Sequence, residues 1–297
     1  MSRTFRLCAL AVLLIAAAVT LHLLRLDARA LLWLQESRAT AEQRASGLWL
    51  PGYQAVLQLE VPGFEKEEFS DLSFNPATNT LFTVSGKRSL LIELSLDGQL
   101  LRSIPVIGAS NLEGVAVLED GYLAVTDERQ HNLTIFKLDA NTQELRTEQA
   151  VQQVELGYRD SANKGFEGLA WDKRNQRLLL GKERDPLMLF GLPSDGRRVT
   201  GELQELASLD GIMTDLAGLT VDPRSGQILA LSQESHLLVS LNQQYQPQSF
   251  IALLGALNGL DSYIPQAEGV ALDGTGNLYM VSERNKFYAF RKAPAAQ

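Results

Sequence analysis

A pattern of about fifty residues recurs five times along this 297-residue chain. Each copy begins with an acidic or small residue, continues through a small residue into an apolar strand, and then has a tight turn and a second strand. The copies begin with Ser70–Phe74, Glu113–Val117, Glu167–Trp171, Ala217–Val221 and Glu268–Leu272, and their starts lie 43, 54, 50 and 51 residues apart. Repeats of four short strands at this period are typical of a β-propeller, in which each repeat forms one blade.

The two ends of the repeated region indicate how the ring closes. The last repeat supplies three strands, whereas Tyr53–Val61 forms one unpaired strand before the first full motif. Pairing these segments removes two exposed sheet edges. We therefore expect an all-β, five-bladed β-propeller over residues 53–297 that is closed by its N-terminal strand. A six-bladed ring, with a further repeat inside the longer spacings, is the alternative.

The segment before the propeller has a different composition. Leu7–Leu24 is an apolar run of 18 residues preceded by Arg3 and Arg6, and this length is just enough to span a bilayer. We predict a signal-anchor-like transmembrane helix over residues 1–24 and a helical stalk or linker over residues 25–52. A cleaved signal peptide and a buried helix are the alternatives.

Charge and cysteine content narrow the classes of partner. Residues 53–297 carry 21 basic and 32 acidic side chains, a net charge of −11. A domain this acidic is a poor candidate for nucleic acid and a better one for cations or basic partners. The sole cysteine, Cys8, lies in the leader, so the propeller has no internal disulfide.

Acidic residues are placed to meet at one mouth of the central channel. The start of the innermost strand and the end of the next strand lie at the same rim of a blade, so Glu113 is expected beside Glu128 and Glu167 beside Glu183. The predicted rim consists of Asp71, Glu113, Glu128, Glu167, Glu183, Asp215, Glu234, Glu268 and Glu283. Carboxylates this close need a cation, a basic partner or raised pKa values.

Two interpretations of this rim remain open. In the first, Glu113, Glu167 and Glu268 form a Ca²⁺ site, with Asn111 and Asn163 nearby, because Ca²⁺ prefers carboxylate and carbonyl oxygens. In the second, the glutamates are structural and pair with neighbouring cations. The candidate cations are Arg129, Arg184, Arg284, Lys164 and Lys182.

Motifs for a catalytic nucleophile are absent from the sequence. It has no Gly-x-Ser-x-Gly elbow, no His-Glu-x-x-His helix and no phosphate-binding glycine loop. No catalytic residue is assigned on this basis. Glu128, His131 and Glu283 are the candidates for a general base beside the rim.

Several segments resemble those of a known family. They are Asn163–Asp172, Thr214–Leu219, Leu231–Ser235, Pro265–Val270 and Asn277–Asn285. In combination they are similar to the SdiA-regulated (YjiK-like) family of bacterial propellers, over about residues 53–291. The resemblance implies a membrane-anchored propeller without an established activity. Ala217 and the first repeat, which has no glutamate, depart from the pattern.

Three functions are compatible with these observations. The first is a binding module in the bacterial inner membrane, single-pass and with an extracytoplasmic propeller. It presents the acidic mouth to a ligand or envelope protein, either with Ca²⁺ bound there or without a cofactor. The second is a metal-dependent hydrolase acting on an ester, lactone or phosphoester. The third is an envelope scaffold without a small-molecule site.

Overall fold

The computed structural model describes residues 26–45, 47–157 and 165–292, together with 5, 8–10 and 12. It contains five antiparallel sheets of at least four strands, whose innermost strands contact one another in sequence order around a ring. The five-bladed propeller expected from the repeats is therefore confirmed, and the six-bladed alternative is wrong.

Blades 1 to 4 use strands that follow one another in the chain, apart from the short β9 described below. Blade 1 contains β2 (Phe69–Asn75), β3 (Thr80–Ser85), β4 (Leu90–Leu94) and β5 (Leu100–Ile107). Blade 2 contains β6 (Leu112–Val117), β7 (Tyr122–Asp127), β8 (Asn132–Lys137) and β10 (Gln152–Glu155). Blade 3 contains β11 (Phe166–Asp172), β12 (Arg177–Lys182), β13 (Met188–Pro193) and β14 (Gln204–Ser208). Blade 4 contains β15 (Gly218–Val221), β16 (Ile228–Ser232), β17 (Leu237–Leu241) and β18 (Pro247–Ala252).

Blade 5 closes the ring by joining the two ends of the domain. Its strands are β19 (Ala267–Leu272), β20 (Leu278–Ser282), β21 (Lys286–Lys292) and, from the other end of the chain, β1 (Tyr53–Glu60). Tyr53 pairs with Lys292 and Glu60 with Lys286. The short β9 (Leu145–Arg146) lies between β8 and β10 in the chain but pairs in parallel with β5 of blade 1. The first join closes the last blade, and the second links two neighbouring blades.

In blades 3, 4 and 5, aspartate side chains fix the turn between the first two strands. In blade 5, Asp273 Oδ1 accepts the backbone N–H of Thr275 and that of Asn277, both at 2.9 Å. Asp222 Oδ1 accepts the N–H of Arg224 at 3.1 Å in blade 4. An aspartate that bonds to the backbone two residues on stabilises a turn, which explains why these segments read as hairpins in the sequence.

The hydrophobic core lies between the blades. The inner strands are apolar along most of their length because both of their faces pack on a neighbouring blade. One cluster joins Phe69 and Ile92 of blade 1 to Tyr279 and Phe287 of blade 5. Equivalent clusters join the other pairs of blades.

Four glycines allow the inner strands to approach closely. A Cβ at Gly218 would lie 2.7 Å from the carbonyl oxygen of Glu268 in the next blade, and one at Gly114 would lie 2.8 Å from that of Glu167. Gly168 packs on the backbone of Gly218 and Leu219, and Gly269 on that of Asp71. The small second residue of the repeated motif is therefore required by the narrowness of the channel.

The segment before the propeller packs along the outside of blade 4. Helix α1 (Leu26–Arg38) is followed by the short helix α2 (Ala41–Ala45). Leu32 of α1 is buried against blade 4, Arg29 Nη2 donates to the carbonyl oxygen of Ser235 at 2.8 Å, and Glu36 accepts the N–H of Phe250 at 2.6 Å. No helix within the described residues is both long enough and apolar enough to cross a membrane. The predicted anchor, residues 1–24, lies almost wholly outside those residues and stays a prediction.

Candidate functional site

Three of the five inner strands present a glutamate from a β-bulge. In β6, Leu112 pairs with Asp127 and Gly114 with Thr126, so Glu113 is an extra residue. Glu167 and Glu268 occupy the same position in β11 and β19. A bulge leaves its extra residue out of the ladder and redirects its side chain. The corresponding residue of blade 4, Ala217, provides no carboxylate.

Glu113 belongs to a hydrogen-bonded group at this end of the channel. Asn111 Nδ2 donates to Glu113 Oε1 at 2.7 Å and to Glu128 Oε2 at 3.1 Å. The backbone N–H of Gly165 in blade 3 donates to Glu128 Oε1 at 3.0 Å. One amide side chain therefore connects two carboxylates, and the second of them joins blade 2 to blade 3.

Glu167 and Glu268 have no such partners. Within the described residues, neither side chain makes a hydrogen bond or an ion pair. Glu268 is only 8% exposed, and Glu167 is half-buried. Two carboxyl groups are thus held near the channel without a hydrogen bond or ion pair from the part of the chain that the structure describes.

The pKa values of these groups reflect their burial and mutual repulsion. Burial, and then repulsion from Glu268, Glu183 and other carboxylates, holds the pKa of Glu167 well above its usual range. The pKa of Glu268 is raised in the same way, by burial and then by Glu283 and Glu113. Burial raises the pKa of Glu113 to about 7, although hydrogen bonds from Ser70 and Asn111 oppose the shift. These side chains therefore influence one another across the channel.

The other predicted rim residues are compensated by the protein. Glu183 pairs with Arg184, which also reaches Glu234 Oε1 at 2.9 Å. Asp215 accepts the backbone N–H groups of Gln233 and Glu234 at 3.0 and 3.1 Å. Glu283 accepts a hydrogen bond from Gln266. Within the described residues, most carboxylates of the predicted rim thus have a hydrogen-bond or ion-pair partner, whereas Glu167 and Glu268 have none.

Asp71 lies deeper than the rim, at the centre of the ring. In the bulge of β2 it has a φ of 44°, and its side chain is fully buried. Its Oδ2 accepts the N–H of Val115 from blade 2 at 3.0 Å and that of Leu169 from blade 3 at 2.9 Å. Burial raises its pKa well above the usual range, while these N–H groups and those of Leu72 and Leu219 oppose the shift. We call this residue the hub, because it joins inner strands of several blades.

The position of the hub differs from the rim position expected from the sequence. When the five motifs are aligned, Asp71 occupies the position that a glycine holds in the other four repeats. Those glycines, which contact the next blade, are Gly114, Gly168, Gly218 and Gly269. A residue in that position lies within the ring and not on its edge. This alignment is the signal that identifies the hub. Its Oδ1 is buried and has no hydrogen-bond partner among the described residues.

Neither interpretation of the rim accounts for the whole arrangement. Within the described residues, no group of three or more His, Cys, Asp or Glu side chains is close enough to hold a metal ion as it stands. Of the predicted cations, Arg184 forms ion pairs, whereas Arg129 and Arg284 pair with none of the described glutamates, and Lys182 Nζ donates to the carbonyl oxygen of Arg184 at 2.9 Å. Asn163 and Lys164 lie outside the described residues.

His131, a candidate base, lies in the turn between β7 and β8, and its backbone N–H donates to Glu128 O at 3.3 Å.

The other end of the channel contains a cavity of about 670 Å³ that the sequence did not suggest. All five blades contribute to it through the last residues of their inner strands. Phe74 and Trp171 line this cavity and are only half-buried. We call this end the opposite mouth, and the end with Glu113, Glu167 and Glu268 the acidic mouth.

Comparison with known proteins agrees with the repeats and the ring. The model of the SdiA-regulated family matches residues 45–291, which include all five blades. The chain belongs to the SdiA-regulated family. This membership confirms the resemblance found in the sequence.

Solved structures show the same fold at low identity. The glutaminyl cyclase of Myxococcus xanthus is 17% identical, with a TM-score of 0.54, and the match covers 80% of this chain and 95% of that one. A nidogen/laminin complex (19% identical, 72% of each chain, TM-score 0.48) and a virginiamycin B lyase from Staphylococcus aureus (9% identical, 80% and 99%, TM-score 0.49) are more distant in structure. At these identities the cyclase supports the propeller fold and nothing about activity.

Proposed function

We propose that this member of the SdiA-regulated family is a binding module whose acidic mouth receives a positively charged group of a ligand or partner protein. The observation that carries the proposal is the pair Glu167, half-buried, and Glu268, buried, which lie near the channel without a hydrogen bond or ion pair to any described residue. Burial and then mutual repulsion raise the pKa values of both groups, and a cation placed between them would oppose both effects by favouring the charged carboxylates.

An ammonium or guanidinium group suits this mouth better than a bare metal ion. Ca²⁺ needs six to eight oxygens at 2.3–2.6 Å, and no three acidic side chains of the described residues converge to that extent. An organic cation instead donates several hydrogen bonds to carboxylates that lie further apart. Ca²⁺, the cofactor expected from the sequence, remains the second occupant to test.

The proposal is tested on the purified full-length chain by its thermal midpoint. Methylguanidine, N-acetyl-lysine amide, Ca²⁺ and Mg²⁺ are each titrated after treatment with EDTA. A ligand that binds the folded state produces a saturable rise in the midpoint. We expect that rise with at least one organic cation, and we expect its loss in a Glu167→Gln/Glu268→Gln double variant.

The exposed Glu202→Gln variant is the matched control and should respond like the parent chain. A rise with Ca²⁺ but with neither organic cation would move the proposal to a metal site. A flat response to all four cations, or an equal response of the double variant, would contradict a cation site at this mouth.

The location of the protein is a separate proposal. The apolar run Leu7–Leu24 supports a single-pass anchor in the bacterial inner membrane with an extracytoplasmic propeller. A fusion of alkaline phosphatase to the C-terminus should be active in cells, because that enzyme matures only after export. An inactive fusion that is present at normal levels would place the propeller on the other side.

A second candidate function is acid–base catalysis on an ester, lactone or phosphoester. It is favoured by Glu113, whose pKa of about 7 suits proton transfer near neutral pH. A substrate panel, with a glutaminyl peptide added because a glutaminyl cyclase shares the fold, should show turnover that Glu113→Gln removes. No turnover, or turnover unchanged in that variant, would eliminate this candidate.

A further inference from the structure

The opposite mouth is surrounded by one apolar residue from each blade. The last residue of each repeated motif occupies the same position in the ring, immediately before the turn of its blade. These five residues, which we call the apolar collar, are Phe74, Val117, Trp171, Val221 and Leu272. Leu272 is buried and the other four are half-buried, so the collar presents apolar surface to the cavity.

The cavity has the size of a small-molecule site. Its volume of about 670 Å³ lies within the range of about 300–1,000 Å³ typical of ligand pockets. Leu72, Leu169 and Leu219 line its inner part, next to the hub that separates it from the acidic mouth. A molecule in this cavity would therefore occupy a site distinct from that mouth.

The charged side chains around the cavity already have protein partners. Glu119 pairs with Lys173, Asp172 with Arg177, and Asp222 with Arg224. Arg174 donates to the carbonyl oxygens of Arg224 and Ser225, and Asp120 pairs with Arg197. Each of these carboxylates thus has a cationic partner, and the guanidinium of Arg174 is bonded to two carbonyl oxygens, so the lining favours an uncharged ligand.

Trp171 is fixed in orientation at the edge of the cavity. Its indole Nε1 donates to Glu119 Oε1 at 2.9 Å, and the other oxygen of that carboxylate accepts from Lys173 Nζ at 2.7 Å. The ring also packs on the loop at Gly196, where an added Cβ would lie 3.1 Å from its Cζ2. A ring held on one side in this way can stack on an aromatic ligand without losing conformational freedom.

Two hydroxyl groups can provide polar contacts. Ser73 Oγ accepts the N–H of Val117 at 2.9 Å, which leaves its hydrogen available as a donor. Thr220, in the inner strand of blade 4, makes no side-chain hydrogen bond among the described residues. A few polar groups within an apolar pocket orient a bound molecule.

We propose that the apolar collar binds an uncharged, flat, aromatic molecule that carries a hydrogen-bond acceptor. The ligand stacks on Trp171, contacts Phe74 and Val117, and accepts from Ser73. It enters from the face of the propeller opposite the acidic mouth. The chain then has two independent sites, one for a cation and one for a neutral aromatic compound.

The test uses 2-naphthol as the probe and the full-length chain labelled with 5-fluorotryptophan. The three tryptophans, Trp33, Trp49 and Trp171, give separate ¹⁹F resonances that single Trp→Phe variants assign. Titration should shift the Trp171 resonance saturably and leave those of Trp33 and Trp49, on and after α1, in place. No shift, or equal non-saturating shifts of all three resonances, would overturn the proposal.

Variants of the collar separate binding from a general effect on folding. Val117→Glu places a charge in the collar and should weaken binding of 2-naphthol more than tenfold, provided that the chain retains its cooperative thermal unfolding. Ser73→Ala, a smaller change, should weaken it about threefold, even if Val117→Glu does not fold. Glu113→Gln, at the acidic mouth, should leave the affinity unchanged. The anion naphthalene-2-sulfonate should bind at least tenfold more weakly, and equal binding of the two compounds would contradict the uncharged site.

Discussion

The two mouths of the channel are built from opposite ends of the same five strands, yet their chemistry differs. At the acidic mouth, three blades contribute a glutamate from a bulge, and two of these glutamates have no partner among the described residues. At the opposite mouth, every blade contributes an apolar residue, and the charges around it are paired. Among the described residues, the two carboxyl groups without a partner, Glu167 and Glu268, thus lie at one end of the channel. The hub lies between the two ends.

The largest effect is expected at the hub, because the separation of the mouths depends on it. Asp71→Ala would leave the N–H groups of Val115 and Leu169 buried without an acceptor. Each unsatisfied buried group costs about 1–3 kcal/mol, so we expect a loss of about 4 kcal/mol in the free energy of unfolding by urea. Asp71→Asn retains a side-chain oxygen and should lose less than half as much. Equal losses in the two variants would show that hydrogen bonding is not the function of the hub.

The next effect concerns the close approach of the inner strands between the mouths. Gly218→Ala would force a methyl group against the carbonyl oxygen of Glu268, and overpacking of this kind costs about 1–3 kcal/mol. Gly274→Ala is the matched control, since an added Cβ there meets nothing within 4 Å. Urea unfolding should show destabilisation in the first variant and none in the second. A stable Gly218→Ala protein would show that the ring can widen.

A smaller effect follows from the raised pKa at the acidic mouth. The pKa of Glu113 rises from 4.5 to about 7 on folding, so between these values the folded protein retains a proton that the unfolded chain has lost. This contribution to stability is complete below pH 4.5 and disappears as the pH rises through 7. We expect a loss of about 2 kcal/mol between pH 5 and 8, after allowance for partial solvent exposure. Glu113→Gln should remove this share of the pH dependence and leave the share of Asp71, Glu167 and Glu268, whereas Glu202→Gln should leave the whole profile unchanged.

The smallest effect is expected where the acidic mouth is already compensated. Glu234 is 44% exposed and pairs with Arg184. Exposed ion pairs contribute about 0–1 kcal/mol, so Glu234→Gln should change the free energy of unfolding by less than 1 kcal/mol. A larger change would mean that the ion-paired part of the rim is structurally as important as the hub.

The fold could be predicted from the sequence because its determinants are local and repeated. Aspartates such as Asp222 and Asp273 begin the turns, and a glycine follows the first motif residue in four repeats. Closure by Tyr53–Glu60 followed from counting strands in the last repeat. Each of these features depends on neighbouring residues and can be read without knowledge of the ring.

The site could be predicted only in part, because its chemistry depends on contacts between blades. The sequence placed Glu113, Glu167 and Glu268 at one mouth but could not show that Arg184 compensates Glu183 and not Glu167. The sequence predicted Asp71 at the rim, whereas the structure places it inside the ring, where it bonds to blades 2 and 3. The apolar collar was hidden because a residue such as Trp171 has the same pattern in a packed core and in a cavity wall.

The direction of helix α1 determines how the domain is oriented with respect to whatever precedes it. Arg29 near its start contacts Ser235, in a turn on the side of the acidic mouth, whereas Leu48 beyond its end bonds to Gln227, in a turn on the other side. Helix α1 thus begins on the side of the acidic mouth and runs along blade 4, and β1 starts on the side of the opposite mouth. Under the proposed anchoring of Leu7–Leu24 in a bilayer, the anchor would join the domain on the side of Glu167 and Glu268, and the collar would lie on the other side. Cations would then arrive along the membrane surface, and neutral aromatic compounds from bulk solution.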